Sequence, residues 1–175
     1  TSFMDEQLSS SKRYDDDKIL TKTMINNYAK NHLLPAPDKK KYSKEHLLLL
    51  IYIYYYKSIL SIGDIQSLLE PLTQRYFHKD GEMNMQSIYE EVFSLEKEQV
   101  EKMKQDVTEK YETASCIFPE AEAEDQEFLW IFSFICLLSF DVYVKKQVIE
   151  KLIDELPKKS WLTRELESVR VDLLN

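Results

Sequence analysis

Glycine is nearly absent from the chain, with 2 residues in 175, and only 5 prolines accompany them. Phosphate-binding loops and nucleophile elbows need glycine at fixed spacings, and none of the patterns GxGxxG, GxxxxGK(S/T) or GxSxG occurs. Sheet proteins with many tight turns are disfavoured for the same reason. The long segments between these breaks are rich in Leu, Glu and Lys, which predicts an all-α protein.

Cysteine and histidine are also scarce. Cys116 and Cys136 are too few for a disulfide framework, and we expect both to be buried, reduced thiols in a cytoplasmic protein. His32, His46 and His78 are far apart in the sequence, so neither a metal site nor a cofactor is expected. Carboxylates that are adjacent in sequence lie in polar surroundings and fit a solvated face better than acid–base chemistry. The chain is therefore not expected to be an enzyme.

Hydrophobic runs long enough for a membrane span are missing as well. The most apolar run, FLWIFSFICLLSF at 128–140, is shorter than the roughly 20 residues that a spanning helix needs. Glu127 and Asp141 bracket the run, and no secretory signal opens the chain. We therefore expect no membrane association, and instead a buried helix that continues amphipathically over 128–156.

One part of this acidic protein carries a net positive charge. Residues 18–57 hold eight lysines against Asp38 and Glu45, a net charge of +6, whereas the whole chain carries −8. Residues 80–127 alone carry −11. This separation of net positive from net negative charge indicates that one surface binds a polyanion while the rest does not.

Periodicity, caps and prolines predict the order of the helices. The predicted N-caps are Thr21, Ser43 and Ser61, and Pro71 is expected to end the helix that Ser61 begins. The predicted helices cover 2–9, 22–31, 45–60, 62–70, 88–111, 128–156 and a last segment with Trp161, Leu162, Leu166 and Val169. A polar segment around Gly81 divides the chain into predicted domains at 1–76 and 77–175.

An apolar stripe runs along the acidic helix of the second predicted domain. Its spacing has one irregular step, so a regular coiled coil does not follow from it. Packing of the stripe against a neighbouring helix is the simpler expectation. The stripe comprises Ile88, Val92, Leu95, Val100, Met103, Val107 and Tyr111.

Small polar side chains and lysines occupy the helix that Thr21 caps. A helix that reads DNA needs such donors in its N-terminal half, with cations nearby for phosphates. Asn forms two hydrogen bonds with adenine, Thr can form a hydrogen bond with several bases, and Lys binds phosphate. The candidate DNA contacts on this helix are Thr21, Lys22, Thr23, Asn26, Asn27 and Lys30. The alternative is a polar face that meets only solvent.

Lys39, Lys40, Lys41 and Tyr42 follow this helix closely enough to fold back beside it as a hairpin or wing. Cations at such a position neutralise phosphates and make affinity depend on salt. Lysine runs are usually only solvated, but this run lies next to the polar helix in one predicted domain. We therefore include these four residues in the candidate DNA surface.

The segments ILTKTMINNYAKNHLLPAP, KYSKEHLLLLIYI and LSIGDIQSLL resemble the DNA-binding domain of MerR-type transcription regulators. That family has a recognition helix ending in tyrosine, a Leu-Leu-Pro turn, a wing, a Tyr-Ser helix start and a Leu-Ser-Leu-x-x-Ile-x-x-Leu-Leu helix. The matching residues are Tyr28, Leu33, Leu34, Pro35, Tyr42, Ser43, Leu47, Leu50, Ile51, Leu60, Ser61, Ile62, Ile65, Leu68 and Leu69. Over residues 1–75 the chain is most similar to an uncharacterised bacterial group of MerR-like proteins, domain of unknown function 1836.

The resemblance implies a winged helix-turn-helix that reads double-stranded DNA as a homodimer and regulates transcription in the bacterial cytoplasm. The acidic helical domain would dimerise or receive a signal, for which a small-molecule effector is one possibility. Asn26 stands where the wider family has an arginine that binds the DNA backbone, and Ala29 replaces a glutamate. The rival hypothesis is a protein-interaction module that keeps the fold without reading DNA.

Overall fold

A computed structural model gives the architecture and describes residues 13, 14, 16, 19–39 and 41–156. Over those residues the protein is mostly helical and forms no strand, which confirms the all-α class. The helices are α1 Lys22–Lys30, α2 Lys44–Tyr56, α3 Ile62–Tyr76, α4 Met85–Ser115 and α5 Ala123–Glu155. The helices predicted at 2–9 and around Trp161, and the candidate contact Lys40, lie outside the described residues.

The chain divides into two compact units, residues 1–89 and 90–175. The first unit holds α1, α2, α3 and the first turn of α4, and Met85 is 1% exposed within its core. The rest of α4 and the whole of α5 belong to the second unit. The roles of the two predicted domains stay predictions.

The first unit is built around α2. This helix is apolar on almost every side, so it has to be covered on several faces, and Leu49 and Ile53 are fully buried. Ile25 and Tyr28 are the buried residues of α1, and Ile65 and Leu69 are those of α3. Full burial of one Leu or Ile side chain is worth about 1.5–3 kcal/mol, so this core holds α1 in place.

The helix that begins after Ser61 does not end at Pro71, as the sequence analysis predicted. It continues to Tyr76, and Pro71 lies inside it. Proline removes one backbone hydrogen bond, but contacts beyond it hold the last turn. Thr73 Oγ1 donates to the carbonyl of Leu69 at 2.8 Å, and the Phe77 ring meets the ring of His46 edge-on at 4.9 Å. Tertiary packing therefore outweighs the tendency of proline to end a helix.

The second unit contains two long helices between which the chain reverses at residues 116–122. The ring of Tyr111, near the end of α4, lies 5.2 Å from Trp130 and 5.6 Å from Phe134, near the start of α5. Lys110 pairs with Asp106 on its own helix and with Asp141 of α5 at 3.1 Å. These contacts place α4 and α5 side by side as a helical hairpin.

The predicted stripe on α4 is only partly covered by α5. Six of its seven side chains are 38–61% exposed, namely Val92, Leu95, Val100, Met103, Val107 and Tyr111. Packing of the stripe on its neighbour is thus confirmed at Tyr111, whereas most of the stripe still meets solvent. A two-helix hairpin has too few layers to bury a broad apolar surface.

The expectation of buried cysteines is wrong. Cys116 and Cys136 are both free thiols and both exposed. Cys116 lies in the turn directly after α4, where no helix covers it. Cys136 lies on α5 outside the face that meets α4. Cysteine is usually a buried residue type, and the two-layer unit offers these two no interior.

Among the described helices, α5 is long and apolar enough to cross a membrane when only length and composition are considered. An 18-residue window within it has a mean hydropathy of 1.8. The uninterrupted apolar run at 128–140 is only part of this helix, which has 33 residues. The expectation that the helix over 128–156 is buried is wrong, because its apolar side chains at 128, 131, 132, 135, 140, 142 and 143 are 43–66% exposed. The core helix of a soluble protein meets the same criterion of length and composition when it is mostly buried.

Candidate nucleic-acid interface

Helix α1 begins where the sequence analysis placed it. Thr21 has an extended backbone, and its Oγ1 accepts a hydrogen bond from the backbone N–H of Met24 at 3.1 Å. The predicted N-cap at Thr21 is therefore confirmed. Because this oxygen is used by the helix and the residue is half-buried, Thr21 is the least available of the candidate DNA contacts.

The remaining candidates on α1 are all exposed. They follow helical spacing, with Lys22, Asn26 and Lys30 at intervals of four, so they form one polar face. Ile25 and Tyr28 lie on the opposite face in the core, and burial raises the pKa of the Tyr28 hydroxyl. The exposed members of this face, called the α1 polar face below, are Lys22, Thr23, Asn26, Asn27 and Lys30.

The chain leaves α1 through a tight turn that the core holds. His32 has a left-handed backbone with φ of 56°, and the Leu33 N–H donates to the carbonyl of Tyr28 at 2.9 Å. The Asn31 side chain donates to the carbonyl of Asn27 at 2.9 Å. Leu33 and Leu34 are then buried, which fixes the direction of the following segment.

The predicted wing is a single tight turn rather than a two-stranded hairpin. Asp38 and Lys41 form one isolated antiparallel bridge, in which the Lys41 N–H donates to the Asp38 carbonyl at 2.7 Å. Lys39 lies within the turn with φ of 45°. Lys39 and Lys41 are exposed, and Tyr42 is exposed while its ring meets that of His46 at 5.3 Å. We call Asp38, Lys39, Lys41 and Tyr42 the lysine turn.

The exposed lysines of α1, of the lysine turn and at the start of α2 share one electrostatic property. Within the described part of the chain, none of them forms an ion pair with a carboxylate. Their charge is therefore not cancelled by a near neighbour and is available to an anionic partner. These residues are Lys22, Lys30, Lys39, Lys41 and Lys44.

Lys57 behaves differently from the other cations of the basic segment. Its Nζ donates to the carbonyl of Ile19 at 3.2 Å and lies 4.7 Å from the centre of the Tyr54 ring. Burial lowers the pKa of Lys57. The residue ties the segment before α1 to α2, so its part is structural, a role that the charge count alone did not reveal.

His46 is the polar centre of the first unit and was missed as such by the sequence analysis. It is 1% exposed, its Nδ1 accepts a hydrogen bond from the Ser43 N–H at 3.0 Å, and the Ser43 hydroxyl oxygen lies 2.8 Å from the same nitrogen. It thus serves at the third helical position, where a glutamate or glutamine usually completes a capping box. The signal was present as Ser43 followed three residues later by His46.

The environment of His46 favours its neutral form. Burial is the largest influence and lowers the pKa of His46, and the nearby His78 acts in the same direction. Nε2 has no partner in hydrogen-bond geometry, although the backbone of Pro35 and Ala36 lies close enough to oppose the shift. Since Nδ1 accepts, Nε2 carries the proton of the neutral ring.

Glu45 and His78 border this buried histidine. His78 Nδ1 lies 3.9 Å from a carboxylate oxygen of Glu45. A hydrogen bond from Ser43 is the largest influence on Glu45 and lowers the pKa of its carboxyl group. The carboxylate is therefore ionised at the start of α2, where the helix dipole favours negative charge.

The pocket that the structure describes in the first unit is small and polar. A pocket of about 200 Å³ lies in the first unit between the start of α2 and the segment that precedes α4. Ligand pockets usually measure about 300–1,000 Å³ and are mainly apolar, whereas this pocket is lined largely by charged and polar residues such as Lys44, Glu45 and Asp80. Over the described part of the chain, no cluster of potential metal ligands is found.

Comparison with known proteins agrees with part of the sequence interpretation. Residues 1–92 match the family described as Domain of unknown function (DUF1836). No curated protein and no solved structure matches the chain. The comparisons give no support to the broader MerR-like assignment, which stays a prediction. Because the match covers more than half of the 175 residues, the chain belongs to the family Domain of unknown function (DUF1836).

Proposed function

We propose that the first unit binds duplex DNA through the α1 polar face and the lysine turn, as a regulator of the MerR-like type in the bacterial cytoplasm. The observation that carries the proposal is that the exposed lysines of α1, of the lysine turn and at the start of α2 form no ion pair, while the buried Ile25 and Tyr28 turn the α1 polar face outward. Phosphates are the partners that such cations suit, and amide and hydroxyl groups suit base edges.

The dimensions of α1 are compatible with this role. An α-helix with its side chains is about 10–12 Å across, which fits the ~12 Å width of the major groove, and the 9 residues of α1 make about two and a half turns. Asn26 and Asn27 would read base edges from the middle of the helix, with Thr23 beside them. Lys22 and Lys30, one at each end, would contact phosphates. The helix that would precede α1 in a helix-turn-helix falls at 2–9, outside the described residues.

A homodimer would give this interface a second half-site. One short helix and one turn offer little contact surface, and pairing two copies raises both affinity and specificity. The second unit, in which the acidic α4 carries much of the negative charge, would supply the dimer contact or receive a signal. Its charge would also keep α4 away from the phosphates.

The salt dependence of DNA binding tests the proposal. We expect the affinity of the full chain for duplex DNA to fall steeply between about 50 and 200 mM salt, because bound lysines release counterions from the phosphates. Fluorescence anisotropy with a labelled duplex measures this directly. Absence of binding at the lower salt concentration would contradict the proposal and favour a protein-interaction module, which the net charge of −8 suits better.

Two matched double variants locate the contact. Lys39→Gln with Lys41→Gln should weaken binding to all duplexes alike. It should also make the plot of log affinity against log salt concentration less steep, by roughly 0.9 for each of up to two lost phosphate contacts. Lys102→Gln with Lys104→Gln makes the same change of charge on the exposed surface of α4 and should leave the slope unchanged. Equal effects of the two pairs would show that only the overall charge matters.

A further inference from the structure

Helix α5 is apolar on two opposite faces, and α4 covers only one of them. Trp130, Phe134 and Asp141 form the inner face, since they contact Tyr111 and Lys110 of α4. About half a turn away lies a second set of apolar side chains, spaced at three and four residues and 43–66% exposed. This outer stripe consists of Phe128, Ile131, Phe132, Ile135, Val142 and Tyr143.

The exposed apolar area of the outer stripe reaches the lower end of what a specific interface needs. An aromatic side chain buries roughly 150–250 Å², so the half-exposed rings of Phe128, Phe132 and Tyr143 offer on the order of 300 Å². The half-exposed side chains of Ile131, Ile135 and Val142 bring the total to on the order of 500 Å². A biological interface is expected to bury about 1,000 Å² in all, which is about 500 Å² from each partner.

A lipid bilayer suits this surface less well than a protein does. Asp141 lies within the apolar segment and pairs with Lys110 of the charged helix α4. Insertion of α5 would either bring α4 into the hydrocarbon or break this pair and strip Asp141 of water, and both are costly.

We propose that the outer stripe of α5 packs antiparallel against the same stripe of a second copy, so that the two α5 helices lie between the two α4 helices in a layer of four helices. An antiparallel pair centred on Ile135 brings Phe128 of one copy opposite Val142 and Tyr143 of the other. Such an interface is self-complementary, as a two-fold axis requires. The inference does not depend on DNA binding by the first unit.

The charges at the ends of α5 fit the same register. Glu124 and Asp125 lie before the outer stripe, and Lys145 and Lys146 lie just beyond it, where each also forms an exposed ion pair on its own helix, with Asp141 and Glu150 respectively. In an antiparallel pair centred on Ile135, the acidic end of each helix lies beside the basic end of its partner. Parallel pairing would instead bring like charges together, so charge favours the antiparallel arrangement.

The mass of the full chain in solution tests the assignment. We expect a dimer by sedimentation equilibrium at micromolar concentration, and at least a tenfold weaker dimer for Ile135→Asp. Phe140→Asp is the matched control because Phe140 is 65% exposed on the same helix but lies about 140° around it from Ile135. A monomeric wild type, or equal effects of both variants, would overturn the inference. Circular dichroism verifies that both variants stay helical.

Cross-linking gives a measurement that does not depend on destabilising substitutions. Cys136 adjoins Ile135, and paired helix axes lie about 8–10 Å apart, so a short bis-maleimide should join two copies of a Cys116→Ser variant. The Cys136→Ser variant, which keeps only the exposed Cys116 outside α5, should stay uncross-linked at the same concentration. Cross-linking through Cys116 alone would contradict the proposed register.

Flotation with vesicles of phosphatidylcholine and phosphatidylglycerol distinguishes the membrane outcome. We expect the full chain to remain in the dense fraction at concentrations where it is dimeric. Co-flotation that Ile135→Asp abolishes, together with a monomeric mass in the absence of vesicles, would assign the outer stripe to lipid and overturn the dimer.

Discussion

At the scale of single residues, His46 links three parts of the first unit. Its ring completes the cap of α2, meets Tyr42 of the lysine turn and supports Phe77 after α3. Charging this ring would place a cation in a site that is almost closed to water. The stability of the unit should therefore depend on pH through one side chain.

The sign of this dependence follows from the direction of the shift. Burial lowers the pKa of His46 in the folded protein, so the unfolded chain binds more protons. The contribution of His46 to the free energy of unfolding is thus complete above the unfolded pKa of about 6.5 and is lost as pH falls through the folded pKa. Chemical denaturation between pH 8 and pH 5 should show this decrease.

His46→Gln should flatten the pH dependence, because glutamine keeps an acceptor for the Ser43 N–H but does not titrate. His32→Gln removes an exposed histidine from the same unit and serves as the control. If His32→Gln flattens the curve as much as His46→Gln does, the assignment to His46 is wrong.

At the scale of elements, the start of α3 shows how a local signal holds a helix. The Ser61 N–H and hydroxyl both donate to Asp64 Oδ2, at 3.1 and 2.6 Å, and the Asp64 N–H donates back to Ser61 Oγ at 3.1 Å. This is a reciprocal capping box, and it confirms Ser61 as the predicted cap.

Ser61→Ala should lower the free energy of unfolding by about 1 kcal/mol, because it leaves helix donors unpaired. Ser67→Ala makes the same exchange at an exposed position in the body of α3 and should be neutral or slightly stabilising, since alanine has the higher helix propensity. Urea denaturation of both variants measures the difference. Equal losses would show that the cap contributes nothing specific.

At the scale of the whole molecule, the two proposals make a joint prediction. Ile135→Asp should weaken DNA binding only because it separates the two copies, so a high protein concentration should restore part of the affinity. Lys39→Gln with Lys41→Gln should weaken DNA binding and leave the dimer intact. Sedimentation and anisotropy on the same samples separate these effects, and failure of one proposal leaves the other testable.

Local chemistry accounts for the features that could be predicted. Thr21 and Ser61 cap their helices as expected because a cap depends on only a few neighbouring residues. The apolar α2 had to be buried, and the alternation of Ile25 and Tyr28 with polar residues placed α1 on the surface of the core. The same signals do not identify the partner of the lysines, because exposed lysines indicate only that the partner is anionic.

The basic segment and the all-α class were determined by the sequence itself, because composition and helical spacing need no distant contact. Tertiary structure decided the rest. Because of tertiary packing, α3 continues past Pro71 and His46 is buried. Lys57 donates a hydrogen bond to the carbonyl of Ile19, and Cys136 is exposed. Each of these outcomes depends on which residues, remote in sequence, come to lie within a few ångströms, and periodicity along one helix does not contain that information.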